Sequence, residues 1–164
     1  MDRNYQGAIG TWFDAWSDSE LSDADRRRII DLYDGEIHFA DSLVGRVLDT
    51  IEELVVHERT VIVITSDHGE ELFERGTMGH GHSLHDELLR VPLIIRWPGG
   101  TPRARIEDQV RTMDLFPTLL DTLALPVPPG LDGVSLMPLA RVSPGSARRS
   151  KSVPAFVASV RMNF

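Results

Sequence analysis

Residues 60–100 concentrate the side chains able to do chemistry. An apolar run, Val61 to Thr65, ends in Ser66-Asp67-His68-Gly69. A carboxylate and an imidazole leaving a strand end can bend round one divalent cation, and Gly69 permits the sharp turn this needs. The mixed oxygen and nitrogen set suits Mn, Zn or Mg, or Ca if more oxygens join. The plainer alternative has Asp67 capping a turn and His68 simply exposed.

A second cluster follows in Gly79-His80-Gly81-His82-Ser83-Leu84-His85. Glycines on both sides of His80 let the backbone approach a ligand closely. A histidine beside an anionic ester can bind it as a cation or protonate the departing oxygen. His82 and His85 read equally as loop polarity or hydrogen-bonding groups. The spacing is neither a zinc finger nor His-Glu-x-x-His, so a self-contained zinc site is not expected. Asp86 and Glu87 are expected in structural roles, holding Arg90 or capping the entry to a strand. Glu70 and Glu71 read as a solvated edge.

These residues need elements to position them. Apolar positions from Ile29 to Leu54 recur at helical spacing, which predicts one amphipathic helix over about 23–56 with Ser22 or Asp23 as N-cap. Gly35 and Gly45 inside it leave room for a kink or break. Arg26 to Arg28 read as a surface feature. Val61 to Thr65, apolar on both faces, predicts a central strand covered by helices on both sides. Residues 69–85 read as loop, with at most a short turn at Glu70 to Phe73. Pro92 to Arg96 predicts a second strand, with Pro92 at its start. Val110 to Leu125 predicts a strand end and then a helix, with Asp114 as N-cap and Pro117 in the first turn. The expected class is α/β, a few-stranded sheet flanked by helices.

The chain has 164 residues, 41% apolar and 26% charged, which fits a folded domain with a real core. No apolar run reaches the roughly 20 residues that span a bilayer. The first twenty residues lack the pattern of a signal peptide, and the compartment stays open. Cysteine is absent, which excludes disulfides and thiolate chemistry. The net charge of −8 is uneven: residues 141–164 hold five basic side chains and no acidic one, leaving −13 on the first 140. An acidic body argues against nucleic acid as a partner. The basic end reads as a solvated tail.

Five blocks together resemble sulfatases of the alkaline phosphatase superfamily: residues 33–41 (YDGEIHFAD), 61–72 (VIVITSDHGEEL), 79–99 (GHGHSLHDELLRVPLIIRWPG), 113–128 (MDLFPTLLDTLALPVP) and 130–139 (GLDGVSLMPL). They follow the family's order. The resemblance implies a partial three-layer α/β sandwich and a metal-dependent hydrolase of small-molecule or carbohydrate sulfate esters. It implies Asp67 and His68 as metal ligands. Calcium is usual in sulfatases, with manganese, magnesium or zinc in relatives that hydrolyse phosphate or phosphonate esters. It implies His80 as the residue that contacts the sulfate and helps the leaving group depart. His85, standing where Tyr is common, is taken as a further substrate contact.

The family's nucleophile, a Cys or Ser in a Cys/Ser-x-Pro-x-Arg motif that becomes formylglycine, has no counterpart in this sequence. Ser152-Val153-Pro154-Ala155-Phe156 lacks the Arg. The expected organisation is therefore an N-terminal arm (1–22), the second half of a sulfatase-type catalytic domain (23–140) and a basic tail (141–164). Such a chain is expected to be inactive alone and to self-associate through an exposed sheet edge. Two alternatives stand beside this reading: a phosphodiesterase or phosphonate monoester hydrolase of the same superfamily, and a non-catalytic module that binds a metal or a partner.

Overall fold

The computed structural model describes residues 21–99, 104–106, 108–141 and, for the backbone, 156–161. The expected N-terminal arm lies almost wholly outside them.

Helix α1 runs without a break from Asp23 to Glu53. Its start is fixed by a capping box. Ser22 Oγ accepts from the Asp25 N–H at 3.2 Å, and the Asp25 carboxylate accepts from the Ser22 N–H at 3.1 Å. The room that Gly35 and Gly45 leave for a break is not used, because the 31-residue helix carries across both. What differs from expectation is the packing: α1 buries none of its residues. Its apolar stripe stays exposed, with Phe39 and Val47 each at 59%. Caps and propensity act locally and form the helix, while apolar residues such as Ile29, Ile30 and Val44 are only partly covered.

The sheet is built around β4, Arg90–Arg96. On one side β4 pairs antiparallel with β1, Ile62–Thr65, from Ile62 opposite Arg96 to Thr65 opposite Leu93. On the other it pairs antiparallel with β7, Phe156–Arg161. Beyond β7, two short strands run parallel to it, β5 (Ala104–Arg105) and β6 (Val110–Arg111). This corrects three expectations. β1 is an edge strand rather than a central one, and it is only half-buried. Strand position is a matter of long-range pairing, which apolar composition does not encode. Pro92 lies inside β4, opposite Ser159 and just past the end of the β1 ladder, where one-sided pairing tolerates a missing N–H. Residues 156–161, read as part of a solvated tail, supply a strand at the middle of the sheet.

Alternation along β4 defines the core. Val91, Leu93, Ile95 and Trp97 are buried together with Val110, Leu136 and Ala140. Helix α3, Leu115–Thr122, and α4, Met137–Arg141, contribute Leu115, Met137 and Leu139 to this face. Pro117 sits in the first turn of α3 as expected. Asp114 takes the N-cap place, but its side chain turns back rather than capping. It accepts from the Arg111 N–H and guanidinium and from the Val134 N–H, each at 2.9 Å. Thr118 Oγ1 accepts from the Leu136 N–H at 2.8 Å. These bonds fasten residues 133–136 to α3.

Candidate functional site

The site begins where β1 ends. Gly69 turns the chain against helix α2, Asp86–Leu89, and its N–H donates to the Leu88 carbonyl at 2.8 Å. A Cβ on Gly69 would collide with the Glu87 carbonyl oxygen, so only glycine fits. The loop is tied internally as well. Ser66 Oγ donates to the His68 carbonyl at 2.7 Å, and the Asp67 carboxylate accepts from the His68 N–H at 3.0 Å. That backbone bond, followed by the residue's own N–H, holds the Asp67 carboxyl below the usual carboxylate range. Asp67 is otherwise open to solvent, its side chain 89% exposed.

The segment read as loop is a hairpin. Strand β2, Glu71–Leu72, pairs antiparallel with β3, Met78–Gly79, through a turn in which Phe73 and Gly76 adopt positive φ. The Phe73 N–H donates to the Thr77 carbonyl at 2.9 Å. At the tip, Arg75 reaches Glu87 at 3.2 Å, which ties the hairpin to α2. The Arg26 guanidinium lies 6.0 Å from the centre of the Phe73 ring, so one of the three arginines read as surface anchors α1 to the hairpin.

The register of this hairpin decides which side chains meet. Glu71 opposes Gly79, so Glu70 comes opposite His80 one step along. His80 Nδ1 lies 3.0 and 3.3 Å from the two Glu70 carboxylate oxygens. On the other face Glu71, 1% exposed, accepts from Thr77 Oγ1 at 2.6 Å and lies 3.0 Å from His82 Nε2. Chiefly the Thr77 bond, and then His82, hold the Glu71 carboxyl below its ordinary value against the opposing effect of burial. The expectation of a solvated acidic edge is thus corrected: Glu70 and Glu71 are the partners of the two histidines.

The hairpin also delivers His80 to the β1 loop. The rings of His68 and His80 lie 4.1 Å apart, centre to centre, tilted by 31°. His68 Nδ1 faces the Gly69 carbonyl at 2.8 Å, and its Nε2 lies 3.8 Å from Asp67 Oδ2. Asp67, His68 and His80 are therefore gathered in one place. His85 is not among them; it is the exposed N-cap residue of α2, without a side-chain capping bond. Glu70 and Glu71 were missed because their roles follow from register. The available signal was two consecutive acids, a Gly-containing turn, and two histidines spaced two apart.

The donor set can be tested against a divalent ion. Asp67 and His68 present one oxygen and one nitrogen close enough to share an ion, well short of the six to eight oxygens that calcium takes. His68, Glu70 and His80 each offer a ligand atom, and these lie within 4.8 Å of one another. The residues present fit a divalent metal.

Comparison with known proteins identifies the family. The model of the family described as Sulfatase matches residues 2–125. The chain belongs to the sulfatase family. Arylsulfatase K of Bos taurus is 32% identical over 98 residues, covering 60% of this chain and 18% of its own length. Among solved structures, a phosphonate monoester hydrolase from Silicibacter pomeroyi superposes with a TM-score of 0.58 at 38% identity, covering 66% of this chain and 21% of that one. A second, solved with its substrate D-glucosamine-2-N,6-O-disulfate, gives 0.54 at 32% identity, covering 66% and 23%. The α/β class expected from the resemblance is the class of these neighbours. The chain spans about a fifth of the length of the relatives it matches. Among the described residues no helix is long and apolar enough to cross a membrane.

Proposed function

We propose that this chain forms the metal-binding and leaving-group side of a sulfate ester hydrolase, acting on a small-molecule or carbohydrate sulfate. The observation that supports it is the convergence of His80 on the Asp67–His68 turn, with the two rings 4.1 Å apart. Asp67 and His68 hold the divalent ion, calcium by resemblance, with manganese, magnesium or zinc as the other candidates. When bound, that ion draws charge from an ester oxygen. His80 carries the proton for the departing alcohol. Glu70, 3.0 Å from His80 Nδ1, orients the ring by a hydrogen bond at that nitrogen. In this reading His85, exposed at the start of α2, meets a polar part of the substrate.

A Cys/Ser-x-Pro-x-Arg motif does not occur in the 164 residues, so the nucleophile must come from elsewhere. Purified 1–164 is expected to turn over an aryl sulfate no faster than its Asp67→Ala variant. Clear turnover above that variant would overturn the division of labour. In a continuous protein where a segment bearing the nucleophile precedes this chain, His80→Ala should lower kcat by about 10²- to 10⁴-fold. An unchanged kcat there would remove His80 from the reaction.

A second reading, phosphonate monoester hydrolysis, is favoured by the 38% identity to the Silicibacter pomeroyi enzyme. The ratio of kcat/KM for matched aryl sulfate and aryl phosphonate substrates separates the two. A non-catalytic module would bind metal or substrate and turn over neither ester.

A further inference from the structure

We infer that His68, Glu70 and His80 form a binding site for one first-row transition ion of the zinc, cobalt or nickel type, which shares His68 with the Asp67–His68 pair and replaces Asp67 by Glu70 and His80. The inference deepens the reading above, because it gives His80 a second occupation that competes with proton donation.

The geometry is built by two separate backbone devices. The β2–β3 register sets Glu70 opposite His80, and the Gly69 turn sets His68 against the His80 ring. The three ligand atoms then fall within 4.8 Å of one another, a spread that one ion can bridge with small side-chain movement. The His68 Nδ1–H is directed at the Gly69 carbonyl, 2.8 Å away. That bond fixes the tautomer with a lone pair on Nε2 and orients the ring, the device by which ligating histidines are commonly held. Gly79, at φ +106°, and Gly81, at φ +83°, flank His80, so its backbone takes a path that a residue with a side chain would resist.

The chemistry of the donors selects the ion. Two imidazole nitrogens and one carboxylate oxygen suit zinc, cobalt, nickel and copper. Calcium and magnesium require oxygen-rich shells and gain little from imidazole. The cluster is open to solvent at His80, so water could complete the shell of a bound ion there. Occupation by such an ion would engage His80 and Glu70 together and withdraw His80 from a leaving group. Excess zinc is therefore an inhibitor in this scheme, even where another metal supports turnover.

Titration of purified 1–164 with Zn²⁺ by calorimetry, and with Co²⁺ by visible absorption, tests the site without reference to activity. One ion per chain is expected, with a Kd on the order of 10 micromolar, well below the millimolar range. The Co²⁺ spectrum should show nitrogen-rich coordination of low coordination number. Glu70→Gln and His80→Ala should each weaken binding about ten-fold or more, whereas His38→Ala, which removes an exposed histidine of α1 outside the cluster, should change it less than two-fold. Absence of Zn²⁺ binding up to about 1 mM would overturn the inference and leave the hydrolase reading standing. Binding that falls with Asp67→Ala but is indifferent to Glu70→Gln would also overturn it, by assigning the ion to the Asp67–His68 pair. Circular dichroism of each variant establishes that lost binding is not lost folding.

Discussion

Glu71→Leu is the sharpest perturbation of the hairpin that carries His80. Glu71 is 1% exposed and serves two donors, Thr77 Oγ1 at 2.6 Å and His82 Nε2 at 3.0 Å. A hydrogen bond to a charged acceptor contributes about 1.5–3 kcal/mol, so losing two costs about 3–6 kcal/mol. Two effects offset this. Leucine is far easier to desolvate than a carboxylate, and the His82 side chain, 21% exposed, regains some water. The expected net loss is about 3 kcal/mol, a large share of the roughly 5–15 kcal/mol that stabilises a domain. For a chain of this length it lowers the thermal midpoint by about 6–12 °C. Thermal unfolding followed by circular dichroism reads this directly. A double-mutant cycle with His82→Ala should return a coupling of about 1–2 kcal/mol. Adding Thr77→Val and His82→Leu to Glu71→Leu should recover most of the loss, because no polar group is then left without a partner. A midpoint within about 2 °C of the parent for Glu71→Leu alone would refute the reasoning, since a buried two-donor carboxylate cannot be removed that cheaply.

Gly69→Ala should displace the β1 loop from α2, since the new Cβ overlaps the Glu87 carbonyl; the check is loss of metal uptake together with a lowered thermal midpoint. Acid should weaken the hairpin selectively. The folded Glu71 carboxyl sits below its ordinary value, so its contribution is complete above the unfolded pKa of about 4.3 and is lost as pH falls through the lower folded value. Glu71→Gln should flatten the pH dependence of amide exchange in residues 71–79 over that window, and an unchanged profile would count against the assignment. Self-association is expected for 1–164, because the outer edge of β1 has no paired strand among the described residues and the apolar stripe of α1 is exposed. Light scattering coupled to size exclusion checks it, and a sharp monomer peak with cooperative unfolding would refute it.

Signals that are local to the chain translate directly into structure here. The Ser22–Asp25 capping box starts α1, the apolar run at 62–65 becomes β1, and Pro117 falls in the first turn of α3. The turn after β1 was legible for the same reason: Asp67 and His68 follow a strand and precede a glycine that must turn. Features set by pairing across the chain were not legible. Whether β1 is central or at an edge depends on which strand lies beside it. The short β7, with Ala158 and Ser159 at its middle, carries too little apolar alternation to stand out from a tail. The hairpin escaped notice because β2 and β3 are two residues each and rich in Glu and Gly.

The same distinction explains why the partners of Glu70 and Glu71 were not legible while His80 stood out as a candidate. A histidine between glycines announces itself by type, whereas a glutamate gains a role only through what register sets opposite it. Glu70 and Glu71 are neighbours in sequence with opposite fates: alternation sends one to His80 beside the Asp67–His68 turn and the other inward to Thr77 and His82. A one-residue slip of the β2–β3 register would exchange these fates. It would place a buried-type contact at the open face and take the carboxylate away from His80. The buried bonds of Glu71 therefore do more than stabilise a short hairpin. They specify the register that gives His80 its carboxylate, which ties the chemistry at the open face to a side chain that never reaches it.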